Sequence, residues 1–331
     1  MAQSFEQLLA LVNKQIAELP AFQRPPLRLY EPAVYTMALG GKRIRPVLAL
    51  MASQLFGGSA QATLGPAIGL EVFHNFTLLH DDVMDHADMR RGQPTVHAKW
   101  DTNTAILTGD AMFAVAVRLM IGAPAGSLRA VMQAFEALAV GVCEGQQYDM
   151  NFETQAEVSM AEYMEMIRLK TAVLIAGALQ IGALAAGAPA GSVAHLHAFG
   201  TQIGLAFQLQ DDLLDLYGDE AKFGKKIGSD IRENKKTYLY LKALELLPAE
   251  DAAALKTAFA TPTQPDGEAE KVAFVKSLYD RIGVKRHVEA AIQAMFKEGE
   301  AHLNAIPQSE IVPEAMEILK QFTARLLMRD Y

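Results

Sequence analysis

Apolar residues recur at helical spacing along almost the whole chain, and no segment alternates apolar with polar residues as a half-buried strand does. Leu8, Leu9, Leu11, Val12, Ile16 and Leu19 form one apolar stripe, which Pro20 ends. The same spacing predicts helices over residues 44–56, 66–85, 102–121, 127–148, 160–187, 192–217, 235–247, 269–281, 283–304 and 313–328. Alanine is frequent and the β-branched residues are scattered, which favours helix over strand. The breaks are short: Gly57-Gly58-Ser59, Gly122-Ala123-Pro124, Gly187-Ala188-Pro189 and Pro262-Thr263-Gln264-Pro265. None is long or polar enough to serve as a flexible linker, and no solenoid-length repeat is present. The expected fold is all-α, a single domain over residues 1–331 of long, mostly antiparallel helices around a common core.

Composition narrows the function classes. The 331 residues are 51% hydrophobic and 21% charged, ample material for a large core and incompatible with a disordered or collagen-like chain. A formal net charge of −8 repels a phosphate backbone, so nucleic acid is not an expected partner. Cys143 is the one cysteine. That excludes a disulfide framework and a cysteine-based zinc site, and it suits a reducing, cytoplasmic setting. The N-terminal stretch carries Glu6 and Lys14 inside its apolar pattern, unlike a signal or transit peptide. No run of about 18 uncharged apolar residues marks a membrane span.

The strongest chemical signal is an acidic pentapeptide that occurs twice. Asp81-Asp82-Val83-Met84-Asp85 ends one apolar helical run, and Asp211-Asp212-Leu213-Leu214-Asp215 ends another. Residues i and i+4 share a helix face, so Asp81 with Asp85, and Asp211 with Asp215, point two carboxylates the same way. Like charges at that spacing repel, more so beside an apolar core, and therefore call for cations. One such cluster alone is equally well a solvated helix face; two on apolar helices favour a site. All-oxygen ligation selects a hard ion, and magnesium takes one or two carboxylates together with substrate phosphates. Neither cluster has the loop spacing of an EF-hand.

Cationic residues accompany the acids. Gly40-Gly41-Lys42-Arg43-Ile44-Arg45-Pro46 is a basic turn entering a helix, and Arg90-Arg91-Gly92 follows the first acidic cluster. Gly224-Lys225-Lys226-Ile227-Gly228-Ser229-Asp230 and Asn234-Lys235-Lys236-Thr237 follow the second. Such groups form ready diphosphate sites. The spacing and the absent preceding strand exclude a Walker loop. His74 lies seven residues before Asp81, two turns away on the same helix face.

Together these residues resemble the trans-isoprenyl diphosphate synthases, or polyprenyl synthetases, of the short-chain kind. DDVMDHADMRRG is similar to the first aspartate-rich motif of that family, FQLQDDLLD to the second, and GGKRIRP to its basic turn. The likeness runs from roughly the first helix to the last. It implies an isoprenoid synthase fold with a central cavity, a homodimer, and head-to-tail condensation of isopentenyl diphosphate with dimethylallyl, geranyl or farnesyl diphosphate. It implies three magnesium ions, with Asp81 and Asp85 as principal ligands, Asp82 in support, and Asp211 a ligand with Asp212 and Asp215 close by. Lys42, Arg45, His74 and Arg91 would form the isopentenyl diphosphate pocket, and Arg90, Lys170, Lys225 and Lys235 the clamp on the allylic diphosphate. Thr171 and Gln208 would face the developing carbocation, with Gln146 and Asp149 in the metal cavity. The family's GKxT reads Asn234-Lys235-Lys236-Thr237 here, where asparagine tolerates the left-handed backbone nearly as well as glycine. Phe76, five positions before the first motif, and Thr77 fit the geranylgeranyl pattern, whereas Phe73, one turn deeper, would close the cavity earlier and give a farnesyl product. A terpene cyclase and a non-catalytic partner subunit are the alternatives. Two full acidic motifs plus the basic turn disfavour both.

Overall fold

The computed structural model describes residues 2–218, 227–261 and 267–327. Lys225 and its neighbours Gly224 and Lys226 lie outside the described residues. The first ten helices are α1 (Phe5–Ala17), α2 (Leu27–Ala38), α3 (Ile44–Leu55), α4 (Ala60–Met84), α5 (Val96–Lys99), α6 (Thr102–Met120), α7 (Leu128–Thr154), α8 (Met160–Ile167), α9 (Val173–Ala185) and α10 (Ala190–Tyr217). Helices Ser229–Arg232, Tyr238–Leu246, Ala249–Ala260, Glu268–Ile282, Val284–Asn304 and Pro313–Leu327 follow. The fold is all-α, as the periodicity predicts.

The chain sorts into two compact units. Unit 1 comprises Met1–Ala137, Gly177–His197 and Ile306–Phe322; unit 2 comprises Leu138–Ala176, Ala198–Ala305 and Thr323–Tyr331. In unit 1, α1 opens on a reciprocal cap between Ser4 and Gln7 and buries Leu8 and Val12. Helix α3 is buried all round, from Ile44 through Leu55, so it forms the centre of that unit. In unit 2 the core gathers Tyr163, Leu209, Leu213, Leu239, Val275 and Tyr279.

Several departures from the sequence reading have local causes. Helix α2 goes unread because Pro26 precedes it and Pro32 stands inside it; Pro32 is buried and removes one backbone hydrogen bond, yet the helix runs on through it. The run 160–187 is not one helix: a five-residue π-helical turn, Arg168–Ala172, separates α8 from α9. The stretch Met160–Ala185 is long and apolar enough to cross a membrane by length and composition, and 67% of its most apolar window is buried inside the protein, as in a core helix. Helix 235–247 starts later, at Tyr238, and Ala249–Ala260 adds a helix whose weak amphipathic pattern hides it.

A two-stranded hairpin, β1 (Met89–Arg90) and β2 (Gln93–Pro94), also escapes the periodicity test because it is too short to alternate. Its two-residue loop is Arg91-Gly92 with φ +53° and +74°. Positive φ at both central residues is the turn that matches strand twist, with glycine at the second position. The arginine there bears strain of about 1–2 kcal/mol. Among the described residues the other non-glycine positions with positive φ are Arg43, His86 and Asn234, each within or beside one of the charged motifs.

Candidate active site

In unit 1, helix α4 runs 25 residues and carries Asp81 and Asp82 in its last turn, with Asp85 as its C-terminal cap residue. Carboxylates there meet the negative end of the helix dipole, an unfavourable placement of about 0.3–1 kcal/mol each. Asp82 is buried and held by the protein. Arg90 Nε lies 2.8 and 2.9 Å from its two oxygens, and Arg90 Nη2 lies 2.7 Å away. Asp81 is half-buried and Asp85 exposed.

The arginines of the basic turn and of the Arg90-Arg91 pair gather around His74. Arg45 Nη1 lies 3.0 Å from His74 Nε2. A guanidinium only donates, so Nε2 accepts and the ring is the neutral tautomer protonated at Nδ1. Burial, then Arg45, Arg91, Arg90 and Arg43, hold the His74 pKa well below its ordinary value. Arg91 donates from Nη1 to the Gly40 carbonyl. Gly41 accommodates it: a Cβ there would stand 3.0 Å from both Arg91 Nη atoms, and its φ is +134°. Lys42 is exposed at the rim of the same turn.

Below the first acidic cluster the α4 side chains form an aromatic stack. Phe73 is fully buried, with ring centroids 5.5 Å from Phe76, 6.1 Å from Phe113 and 5.3 Å from Phe135. Phe76 is half-buried and meets Phe113 at 5.5 Å and His80 at 4.7 Å. Thr77 turns its hydroxyl back to the His74 carbonyl at 2.8 Å. His80 is fixed as well, its Nε2 being 3.2 Å from the Ile106 carbonyl, above a glycine, Gly109, where a Cβ would collide with the ring at 2.1 Å.

In unit 2 the π-helical turn sets the polar groups. Gly145 lets α7 pack directly on it, since a Cβ there would lie 2.3 Å from the Lys170 amide nitrogen. Lys170 Nζ pairs with Asp149 at 2.5 Å. Thr171 Oγ1 donates to Gln208 Oε1 at 2.8 Å, and Gln208 Nε2 donates to Asp212 Oδ1 at 2.9 Å. The buried Tyr163 hydroxyl donates to the other Asp212 oxygen. Burial pushes the Asp212 pKa up to about 6, against the opposing hydrogen bonds from Tyr163 and Gln208.

Asp215 is engaged too. It accepts from Ser229 Oγ and, at 3.1 Å, from the Asp230 amide, so it caps helix Ser229–Arg232 from outside. Asp211 is half-buried, one helix turn away. Asp230 lies beside these acids; burial, then Asp212 and Asp215, raise its pKa well above the carboxylate range. Lys235 pairs with Glu233 at 2.8 Å, and Asn234 before it has φ +58°, the left-handed conformation allowed to it from sequence. Gln146 is buried on α7 three residues before Asp149.

Sequence reasoning missed Tyr163, Asp230, Arg43 and Glu71. Asp230 and Arg43 sit inside quoted motifs and could have been weighed. Tyr163 and Glu71 stand outside every quoted motif and have no local signal.

Residues 26–277 match the family model described as polyprenyl synthetase. The chain belongs to the polyprenyl synthetase family. It is 35% identical to a geranylgeranyl diphosphate synthase of Sulfolobus acidocaldarius, covering 97% of each chain. A solved geranylgeranyl pyrophosphate synthase is 41% identical, with a TM-score of 0.93 over 99% of this chain and 100% of that one. A geranylgeranyl pyrophosphate synthase of Corynebacterium glutamicum, solved with isoprenyl diphosphate and magnesium, is 29% identical with a TM-score of 0.85, covering 98% of each chain. This polyprenyl synthetase is accordingly a prenyltransferase of the short-chain trans type, with the isoprenoid synthase fold.

Proposed function

We propose that the enzyme condenses isopentenyl diphosphate head-to-tail with an allylic diphosphate and that its main product is geranylgeranyl diphosphate. The observation that carries this reading is the arginine pocket around a neutral His74. A diphosphate held there by Arg45, Arg91 and Lys42 is a second, non-ionising substrate, which a cyclase does not need.

Magnesium fits the acidic clusters. Both stand at helix C-termini, the wrong end for carboxylates, and offer oxygen donors alone. Among the described residues no three His, Cys, Asp or Glu side chains form a ready metal cage. That suits an ion that takes one or two protein carboxylates and completes its shell with phosphate and water. In unit 1, Asp81 and Asp85 at the end of α4 would hold it, and in unit 2 Asp211 on α10 would do so, with three ions in all. When bound, it supplies positive charge to the departing diphosphate.

The chain's own groups do the rest. Arg90, Lys170 and Lys235, with Lys225, add charge to the allylic diphosphate. The allylic C1–O bond breaks, the terminal double bond of isopentenyl diphosphate forms the new bond to C1, and a proton leaves to the released diphosphate. Thr171 and Gln208 are neutral dipoles beside the carbocation. Thr171 donates to the Gln208 oxygen and Asp212 accepts from its amide, so that side chain is locked in one orientation. Phe76, backed by the fully buried Phe73, is the proposed stop for the growing chain. A second copy would cover the exposed apolar residues Ile106, Leu107, Phe113 and Ile121 of α6 and its C-terminal end, giving a cytoplasmic homodimer.

The test supplies purified protein with isopentenyl diphosphate and dimethylallyl, geranyl or farnesyl diphosphate in turn, followed by chromatography of dephosphorylated products. A twenty-carbon alcohol from each starter is expected. A cyclic hydrocarbon from the allylic substrate alone would favour the cyclase.

A further inference from the structure

The basic turn presents three cationic side chains within four positions, and the structure uses them differently. Lys42 is exposed and Arg45 reaches His74. Arg43, between them, is buried against the body of unit 1. Its Nη1 lies 2.6 Å from Glu71 Oε1 and its Nη2 lies 2.6 Å from the Met37 carbonyl at the end of α2. Both side chains of the pair are 4% exposed. Glu71 in turn accepts from Asn75 Nδ2 at 3.1 Å, and the same amide donates to the Glu71 carbonyl at 2.8 Å.

With both terminal nitrogens on protein acceptors, Arg43 is not placed to hold a substrate. It ties the turn to α4 one helical turn before His74, and it does so from a left-handed backbone, φ +50°, at the start of α3. Glu71 lies among cations. Arg43, Arg45, Arg90 and Arg91 all act on His74, and Glu71, ahead of Asp82, supports Arg91 against its own burial and against Arg43. Without a bound anion these arginines repel one another, and an internal counter-charge is what keeps them converged.

We propose that Glu71 and Arg43 are positioning residues that preassemble the isopentenyl diphosphate pocket, aligning Arg45 and the Gly40-Gly41 turn with His74 before substrate arrives. This rests on the reading of that pocket given above. Preassembly acts on the affinity for isopentenyl diphosphate and leaves the allylic substrate alone, because the pair anchors the basic turn whereas Arg90 is held separately by Asp82.

The test is steady-state kinetics on Glu71→Gln, with isopentenyl and allylic diphosphates varied separately. The amide keeps the shape of Glu71 and removes its charge. The expected result is a rise of tenfold or more in KM for isopentenyl diphosphate, with the allylic KM within twofold and kcat within threefold. Arg43→Lys keeps the charge and loses the two-nitrogen reach; it should show the same split at about three- to fivefold, and it serves if Glu71→Gln does not fold. Equal shifts in both KM values, or a lower Tm with neither KM changed, would overturn the proposal and leave the pair purely structural. Wild-type turnover that does not depend on isopentenyl diphosphate would instead remove the pocket assignment itself.

Discussion

The two acidic motifs are identical in pattern and unequal in use. In both, the second aspartate is buried and held by the protein, Asp82 by Arg90 and Asp212 by Tyr163 and Gln208. The difference lies in the fifth position. Asp85 is an exposed helix-cap residue, whereas Asp215 is drawn into the cap of Ser229–Arg232. The helices leading to them differ as well. Five and eight residues before the first motif stand Phe76 and Phe73; at the same offsets before the second stand Ala206 and Ile203, both fully buried. Helix α10 packs so closely that a Cβ at Gly204 would lie 2.5 Å from the Ala172 Cα. One helix offers a bulky aromatic ladder and the other a close backbone contact. A repeated motif therefore predicts shared chemistry without predicting equal roles for its members.

The largest expected effect tests what the motifs share. Asp81→Ala or Asp211→Ala should lower kcat/KM by a thousandfold or more, as should excess chelator on wild type, while the apo protein keeps or raises its Tm because a repulsive carboxylate is gone. Substantial turnover by either variant would end the proposed equivalence of the first positions.

The aromatic ladder comes next. Phe73→Ala should cost about 3–5 kcal/mol in denaturant unfolding, since it empties a fully packed site. Phe76→Ala should cost less, because Phe76 is half-buried, and should shift the products to longer chains by chromatography. If neither variant lengthens the product, the stop is not on α4.

The fifth positions should separate by stability. Asp215→Ala should lose about 0.5–2 kcal/mol, the usual worth of a helix cap, and Asp85→Ala should lose none. Equal unfolding free energies for the two would erase the asymmetry. Tyr163→Phe should cost about 1–3 kcal/mol by leaving Asp212 short of a donor, and it sharpens the same contrast because Asp82 has an arginine in that role.

The smallest effect belongs to His74, which has no counterpart before the second motif. Its folded pKa lies below its unfolded value of about 6.5, so the unfolded state binds more protons as the solution is acidified. The His74 contribution is complete above that value and is lost as pH falls below it. Urea unfolding at pH 7.5 and 5.5 should show a steeper loss for wild type than for His74→Gln. Matching slopes would mean that His74 is not held neutral.

Much of this was legible beforehand. Apolar spacing gave nearly every long helix, because burial of one face sets the period whatever the partner. The acidic clusters and the basic turn were also visible, since i and i+4 placement is a property of a single helix. What escaped were the elements whose reason is elsewhere in the chain. The hairpin β1–β2 is too short for periodicity, yet it aims Arg90 at Asp82 and Arg91 at Gly40. The π-helical turn has no sequence signature, and it exists where α7 presses on it at Gly145.

The sequence by itself determined the fold class and the inventory of carboxylates, cations and aromatics, because backbone periodicity and side-chain chemistry are local. The tertiary structure decided which partners each of those groups meets. Arg43 and Arg45 are two residues apart and chemically identical, but one is buried against Glu71 and the other lies beside His74. Asp85 and Asp215 hold the same place in the same motif, but only Asp215 meets Ser229. Hydrogen-bond partners and burial are supplied by segments far away in the chain, and they give chemically equal residues unequal surroundings.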